Sequence, residues 1–446
     1  MKSALFVSIP FVGHLTPLLR QAEELARRGW RVRIASAEEM KPFVEADSCI
    51  AQGVRFVSLG HLSQFQDELS RIEQLNSNEK VFLKTSLDIV NALWLIWDSY
   101  FDSLMEVVQQ ERPDVMIVDF VTRAGVDVAE AEGIPVVINN PDLLVTVSIA
   151  YLPPAYDVPL PYLGHSIHQM PWHRQWSYPL LRWLSGWLIE VTVGRKLNQF
   201  RAKRGLKKLT INQVWAKHRV IVDSAFGLEY ARPLPPNIKM VGPMLPTTVE
   251  PLPTGVKVWP DEGLPVVYVN LGTVAIASAN QIDRMYKAFE NAPFRFWWIL
   301  RPAMQKFLPA AIAPNIRVES WGPPLLAVLQ HPNVRAFVSH CGINSVHESM
   351  ASGTPIVGIP MLADQFDMAM RVKDAGVGLF VDKLSFSPDE LRSAIKQVIS
   401  DPTFVEAIPA IQESFKQAGG VAYAADLIEQ EGQCCKNGTE CADEEN

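Results

Sequence analysis

The stretch from Phe337 to Ser349 reads FVSHCGINSVHES. An apolar run gives way at once to an imidazole (His340), a thiol (Cys341), a glycine (Gly342), an amide (Asn344), a hydroxyl (Ser345) and a carboxylate (Glu348). Four chemistries suit such a set: metal ligation, thiol attack, anion binding, or only the capping of a helix. Metal ligation is poorly supported, because no cysteine pair in the chain has zinc-ligand spacing backed by histidines. Thiol attack by Cys341 lacks an obvious base nearby in sequence. Anion binding needs only a turn whose free N–H groups and helix dipole face the ligand. Capping also fits, since Ser345 and Glu348 have the S-x-x-E spacing of a capping box.

A second histidine, His14, lies in PFVGHLTPLL, after a glycine and before a helical pattern. A positive helix end there would favour neutral imidazole, the form a general base needs. A packed structural histidine is the alternative. Asp119 closes the apolar run DVMIVDF and, taken alone, can be a cap for the turn that follows.

The elements that must position these groups alternate strand and helix. ALFVSIP is a buried strand, and TPLLRQAEELARRG is a helix with one apolar face, Thr16 as its expected cap and Pro17 in its first turn. WRVRIAS completes a βαβ unit, which implies a parallel sheet. DVMIVDF and IPVVINN flank the helical TRAGVDVAEAEG. The alternation restarts with VVYVNLGT, RFWWIL, RAFVSH and PIVGIP. His340 therefore follows a strand and precedes a helix ended by Gly353, which is where open α/β sheets bind ligands. Residues 242–265 are dense in proline and glycine. The expected division is an N-terminal domain 1–243, a linker 244–263, a C-terminal domain 264–431 whose last helix can pack back on the first domain, and a disordered tail 432–446. Between the halves, Trp172, Trp176, Trp183 and Trp187 recur at helical spacing across Pro179. They read as core or interdomain packing, as a greasy lid, or as a surface for peripheral membrane contact.

The totals agree with two globular α/β units. The 446 residues exceed one ordinary core. A net charge of −7 argues against a nucleic-acid binder. Five scattered cysteines fit a reducing compartment, so a cytoplasmic location is expected and the sequon Asn437-Gly438-Thr439 would go unused. The N-terminus reads as a first strand rather than a signal peptide, and no apolar run of about 18 residues predicts a membrane span.

From Trp321 to Gln365 the chain reads WGPPLLAVLQHPNVRAFVSHCGINSVHESMASGTPIVGIPMLADQ. This closely resembles the signature of UDP-sugar-dependent glycosyltransferases of the GT-B fold, with His340, Gly342, Asn344, Ser345, Glu348, Gly353, Pro355, Pro360, Asp364 and Gln365 in register. The opening GHLTPLLRQAEELARRGWRVRIAS is similar to the family's N-terminus, so the resemblance reaches both halves. Two departures stand out. Pro324 occupies the place of a common glutamine, and the stretch from Trp321 to His340 is one residue longer than the usual plant pattern.

The resemblance implies two Rossmann-like parallel-sheet domains facing each other across a cleft. It implies that Trp321 stacks on uracil, that His340, Asn344, Ser345 and the turn at Gly342 meet the diphosphate, and that Thr273 reaches a phosphate. Glu348 would accept from ribose hydroxyls, and Asp364 and Gln365 would bind the donor sugar, with Gln365 pointing to glucose. His14 would be the base and Asp119 its carboxylate partner, in a single displacement that inverts the anomeric carbon. The absence of any D-x-D sequence fits leaving-group stabilisation without a metal, and no cofactor is expected. The expected partners are a UDP-sugar and a small apolar acceptor such as a phenol, flavonoid, sterol or macrolide, held by Phe11, Phe120 and parts of 140–190. A monomer is expected. A binding protein that has lost turnover and a nucleotide-sugar epimerase are the competing functions.

Overall fold

Each half of the chain builds its own all-parallel sheet. The computed structural model describes residues 1–46, 53–62, 82–144, 151–155, 158–159, 166–169, 172–249, 251–252, 263–272, 276–362 and 364–434. The first sheet contains β1 (Ser3–Val7), β2 (Arg31–Ser36), β3 (Val54–Ser58), β4 (Val115–Asp119), β5 (Val136–Asn140), β6 (Arg219–Val222) and β7 (Ile238–Met240), in the order β3-β2-β1-β4-β5-β6-β7. The second contains β8 (Val266–Asn270), β9 (Arg295–Ile299), β10 (Ile316–Glu319), β11 (Val334–Ser339), β12 (Ile356–Gly358) and β13 (Gly378–Phe380), in the order β10-β9-β8-β11-β12-β13.

The sequence pattern explains this choice. Strands such as SALFV and VMIVD are buried along their whole length, so both faces need cover. Crossover helices supply it. One apolar cluster lies on each face of each sheet. In both sheets the chain runs outward in one direction, then returns to the middle and continues in the other. The reversal falls between β1 and β4 in the first sheet and between β8 and β11 in the second. Such reversals open a crevice at the carboxyl ends of the strands, where the loops diverge.

The final helix, Gly420–Cys434, returns to the first sheet. Ala424, Leu427 and Ile428 join the cluster of Leu18, Leu25 and Ile117, while Trp30 donates to Glu429 at 2.7 Å. It runs through Cys434, past the Gly432 at which the tail was expected to begin, and the rest of that tail lies outside the described residues. A buried ion pair, Arg371 to Glu229 at 2.9 Å, ties the helix Gln365–Asp374 to the segment after β6. Tyr230 donates to Asp374 at 2.7 Å beside it.

Three local expectations change. The first helix spans Val12–Arg27, with Phe11 as its N-cap, so Thr16 is inside it rather than capping it, and Pro17 lies in its second turn. The chain bends directly off β1, and His14 and Leu15 already bond back to the Phe11 carbonyl. The helix Ile343–Ser352 likewise starts at Gly342, which places Ser345 third in the helix and rules out the capping box with Glu348. On the helix Trp172–Ile189, three tryptophans face outward: Trp176, Trp183 and Trp187 are 81%, 65% and 52% exposed, so these three are not core.

Candidate active site

The reversal in the first sheet carries His14 and Asp119. β1 leads into the helix bearing His14, and neighbouring β4 ends on Asp119. His14 Nδ1 lies 2.8 Å from Asp119 Oδ1. Asp119 is fully buried, while a quarter of the His14 side chain stays accessible. A carboxylate can only accept, so Nδ1 carries the proton and Nε2 is left as the basic nitrogen. Thr122 donates its hydroxyl to the other Asp119 oxygen at 3.2 Å, which fixes the carboxylate. Phe120 stacks on the imidazole with ring centroids 5.9 Å apart, and Phe11 lies tilted at 6.1 Å.

The charge balance at His14 differs from what its helix-end position suggests. Burial is the largest single influence and works to lower its pKa. The charge of Asp119, the hydrogen bond to it and the charge of Asp364 together outweigh burial, so the net shift is upward from 6.5. Two carboxylates, rather than the helix dipole, set this histidine's proton affinity.

The reversal in the second sheet carries His340. Its ring lies between two glycines. A Cβ on Gly272 would come 2.7 Å from the imidazole, and one on Gly342 would come 2.4 Å from Nε2. Burial alone pushes the His340 pKa down to about 4, and among the described residues its buried Nδ1 has no hydrogen-bond partner. His340 is therefore neutral at pH 7. Cys341 takes a left-handed φ of 61°, with its thiol packed towards Gly358 and pushed far up in pKa by burial. Those are the marks of a structural cysteine rather than a nucleophile. The first amide bonded within the following helix is that of Val346, to the Gly342 carbonyl at 3.0 Å. The amides of Ile343, Asn344 and Ser345 therefore lie ahead of the helical ladder, as anion binding requires.

The two reversals touch. Asn344 Nδ2 donates to the Gly13 carbonyl at 2.8 Å, one residue before His14. That carbonyl is available for a physical reason. In an α-helix it would accept from the amide four residues on, but that residue is Pro17, which has no N–H.

The remaining expected residues fall around this junction. Asp364 is half-buried and lies close enough to His14 for its charge to be felt there. It also faces Asp142: burial is the largest cause raising both carboxyls, the charge of Asp364 raises Asp142 further, and the hydrogen bond between them works to lower Asp364. Gln365 Oε1 accepts from the Met361 and Leu362 amides, each at 2.9 Å, so its amide nitrogen is the group it can offer a hydroxyl. The Glu348 carboxylate accepts from the Leu326 amide, and burial raises its pKa to about 7. It thereby serves the first turn of the helix Leu325–Leu329, whose N-cap, Pro324, has no capping side chain. Trp321 is 67% exposed, an open aromatic face rather than a packed one. Thr273 lies outside the described residues. Sequence reasoning missed Asp142, whose signal was an acid two residues beyond β5. It also missed Arg20, whose charge acts on Glu348 from the first helix.

Two parallel-sheet domains with apposed strand-end crevices define a GT-B glycosyltransferase, and the comparisons agree. The glycosyltransferase of kitacinnamycin superposes with a TM-score of 0.71 at 22% identity, covering 96% of this chain and 98% of that one. The sequence pattern of the family described as UDP-glucoronosyl and UDP-glucosyl transferase matches residues 38–416, and the chain belongs to that family. A UDP-glycosyltransferase of Phaeomoniella chlamydospora is 27% identical over 75% of this chain and 71% of its own length. UDP-glucuronosyltransferase 3A1 of Bos taurus is 28% identical over 69% of this chain, and the match spans 59% of that relative's length.

Proposed function

We propose that this glycosyltransferase moves a hexose, with glucose preferred, from UDP to a hydroxyl of a small apolar acceptor, with inversion at the anomeric carbon. The observation that carries the reading is the His14–Asp119 pair at one strand reversal, joined through Asn344 and Gly13 to the His340 turn at the other. An acceptor hydroxyl gives its proton to His14 Nε2, and its oxygen attacks the anomeric carbon. The carbon–oxygen bond to the diphosphate breaks, and UDP leaves with the electron pair. The imidazolium that forms is stabilised by Asp119.

The leaving charge develops at the second reversal. Neutral His340, the side chains of Asn344 and Ser345, and the amides of the first helical turn donate to the diphosphate, and Thr273 is assigned to a phosphate by the family resemblance alone. Trp321 stacks on uracil, Glu348 accepts from the ribose hydroxyls, and Asp364 and Gln365 hold the hexose. Phe11 and Phe120 give the acceptor an apolar wall beside the base. No metal is assigned a role.

The test is incubation of the purified chain with UDP-glucose, UDP-galactose or UDP-glucuronate and a panel of phenols, sterols and macrolides. UDP release and product mass are followed with and without a chelator. The expected result is a β-glycoside from an α-linked donor, at a rate the chelator leaves unchanged. UDP binding without any glycoside would sink the transfer reading, and an interconverted nucleotide sugar would replace it with epimerisation.

A further inference from the structure

We propose that the helical arm Trp172–Lys203 is an interfacial anchor that lays its outer face on an anionic lipid surface. The arm runs as the helix Trp172–Ile189, a wide π-turn Glu190–Gly194 and the helix Arg195–Lys203. Its exposed residues follow helical spacing. Trp176, Leu180, Trp183, Leu184, Trp187 and Leu188 form a stripe that Val191 extends, and all of them face solvent. From Trp176 to Val191 this stripe is about 22 Å long. Three exposed tryptophans on one helix face carry a large apolar area that no described residue covers.

Charge identifies the occupant. The chain as a whole is acidic, at −7. Between Glu190 and Asp223, however, it has no acidic residue at all. Arg195, Lys196, Lys203, Lys207 and Lys208 are exposed there. Two further cations of this stretch are paired: buried Arg201 with Asp127, and Arg204 with the exposed Asp98 at 3.1 Å. Glu190, the one acid within the arm, accepts from the Ile211 amide at 2.9 Å and packs over Gly194, away from the cations. A face that is apolar and tryptophan-rich along four turns and cationic beyond them matches an anionic membrane surface. The rings settle at headgroup depth, and the cations meet phosphates. A protein groove would complement the apolar stripe but not an acid-free stretch of exposed cations. Among the described residues no helix is long and apolar enough to cross a membrane, so the arm would lie on the bilayer.

The test uses the full chain and sealed vesicles, one set of phosphatidylcholine alone and one of equal phosphatidylcholine and phosphatidylserine. Flotation should recover the protein with the mixed vesicles, and raising salt should release it. Brominated acyl chains should quench the wild-type tryptophan fluorescence, a readout that needs no substitution. R195E/K196E/K203E should lose the preference for the anionic vesicles, at about fivefold per charge. W176S/W183S/W187S should abolish binding to both vesicle types, by about tenfold per ring, while UDP affinity is retained. No flotation and no quenching with either vesicle would overturn the proposal. So would a wild-type chain that is dimeric in sedimentation, ignores vesicles and becomes monomeric in the tryptophan variant, because the stripe would then bind a second copy.

Discussion

The two strand reversals share one topology and hold one histidine each, yet the two imidazoles are shifted in opposite directions. His14 follows β1 and lies against Asp119 with Asp364 nearby, and the carboxylates raise its proton affinity. His340 follows β11 between Gly272 and Gly342, with no carboxylate acting on it among the described residues, and burial depresses it to about 4. A proton acceptor needs an anion behind it to stabilise the cation it becomes. A group beside a diphosphate must donate a hydrogen bond without exchanging its proton, and dry burial keeps it neutral. Fold alone therefore does not fix the role; the residue that ends the neighbouring strand does.

Removing His14 tests the comparison most severely. His14→Ala should lower kcat on the order of 10²- to 10⁴-fold with the Kd for UDP unchanged, since the proposed base is on one reversal and the proposed nucleotide site on the other. A variant that still turned over at the wild-type rate would end the assignment. The pH profile sharpens it. The acid limb of kcat/KM should have its midpoint above 6.5, and Asp119→Asn should move that limb to lower pH.

The second reversal should respond in affinity instead. Gly342→Ala keeps an ordinary φ of −64°, so the only insult is a methyl 2.4 Å from the His340 ring. Displacing the ring should weaken UDP binding by up to about 3 kcal/mol, read by calorimetry, with His14 chemistry intact at saturating donor. Unchanged affinity would remove His340 from the phosphate site.

Much of this was legible in the chain. Fully apolar strands between amphipathic helices predicted two parallel sheets, and strand ends before helices predicted where His14, Asp119 and His340 would fall. The edge strands β3, β7, β10 and β13 were not read, because three to five residues carry too little pattern. Helix starts were read too late at both reversals. Thr16 and Ser345 have capping chemistry, but the chain turns at Phe11 and Gly342, where backbone geometry alone begins the helix. The service of Glu348 to the Leu326 amide and the pairing of Asp142 with Asp364 join residues distant in sequence, which periodicity cannot see. The opposite directions in which the two histidines are shifted were illegible for the same reason.

Stability against pH separates the histidines again. His340, at about 4 when folded and 6.5 when unfolded, contributes stability that is full above 6.5 and lost as pH falls through that window towards 4. His347, depressed by burial to about 3, acts in the same direction. His14 has the opposite sign. Its contribution is full below 6.5 and lost as pH rises through its raised value. Thermal midpoints across pH should therefore fall on the acid side. His340→Gln should recover on the order of 2 kcal/mol of that loss, and His14→Gln should recover none of it. Equal acid sensitivity in both variants would mean the two sites are not electrostatically distinct.

The smallest effect concerns the contact that joins the reversals. Pro17 cannot donate to Gly13, and Asn344 takes the vacated carbonyl. Pro17→Ala restores a local N–H that competes for the same acceptor. It should raise or preserve thermal stability, because a regular helical bond replaces a break. It should also weaken donor affinity, because the cross-cleft bond then has a rival. A neutral hydrogen bond contributes about 0.5–1.5 kcal/mol, so a loss of roughly two- to tenfold in UDP affinity is expected. Asn344→Ala should cost at least as much, since it also removes the proposed donor to the diphosphate. The double variant decides the matter. If Pro17 acts through Asn344, its effect should vanish in the Asn344→Ala background. Additivity within about 0.5 kcal/mol would show instead that the proline only shapes its own helix.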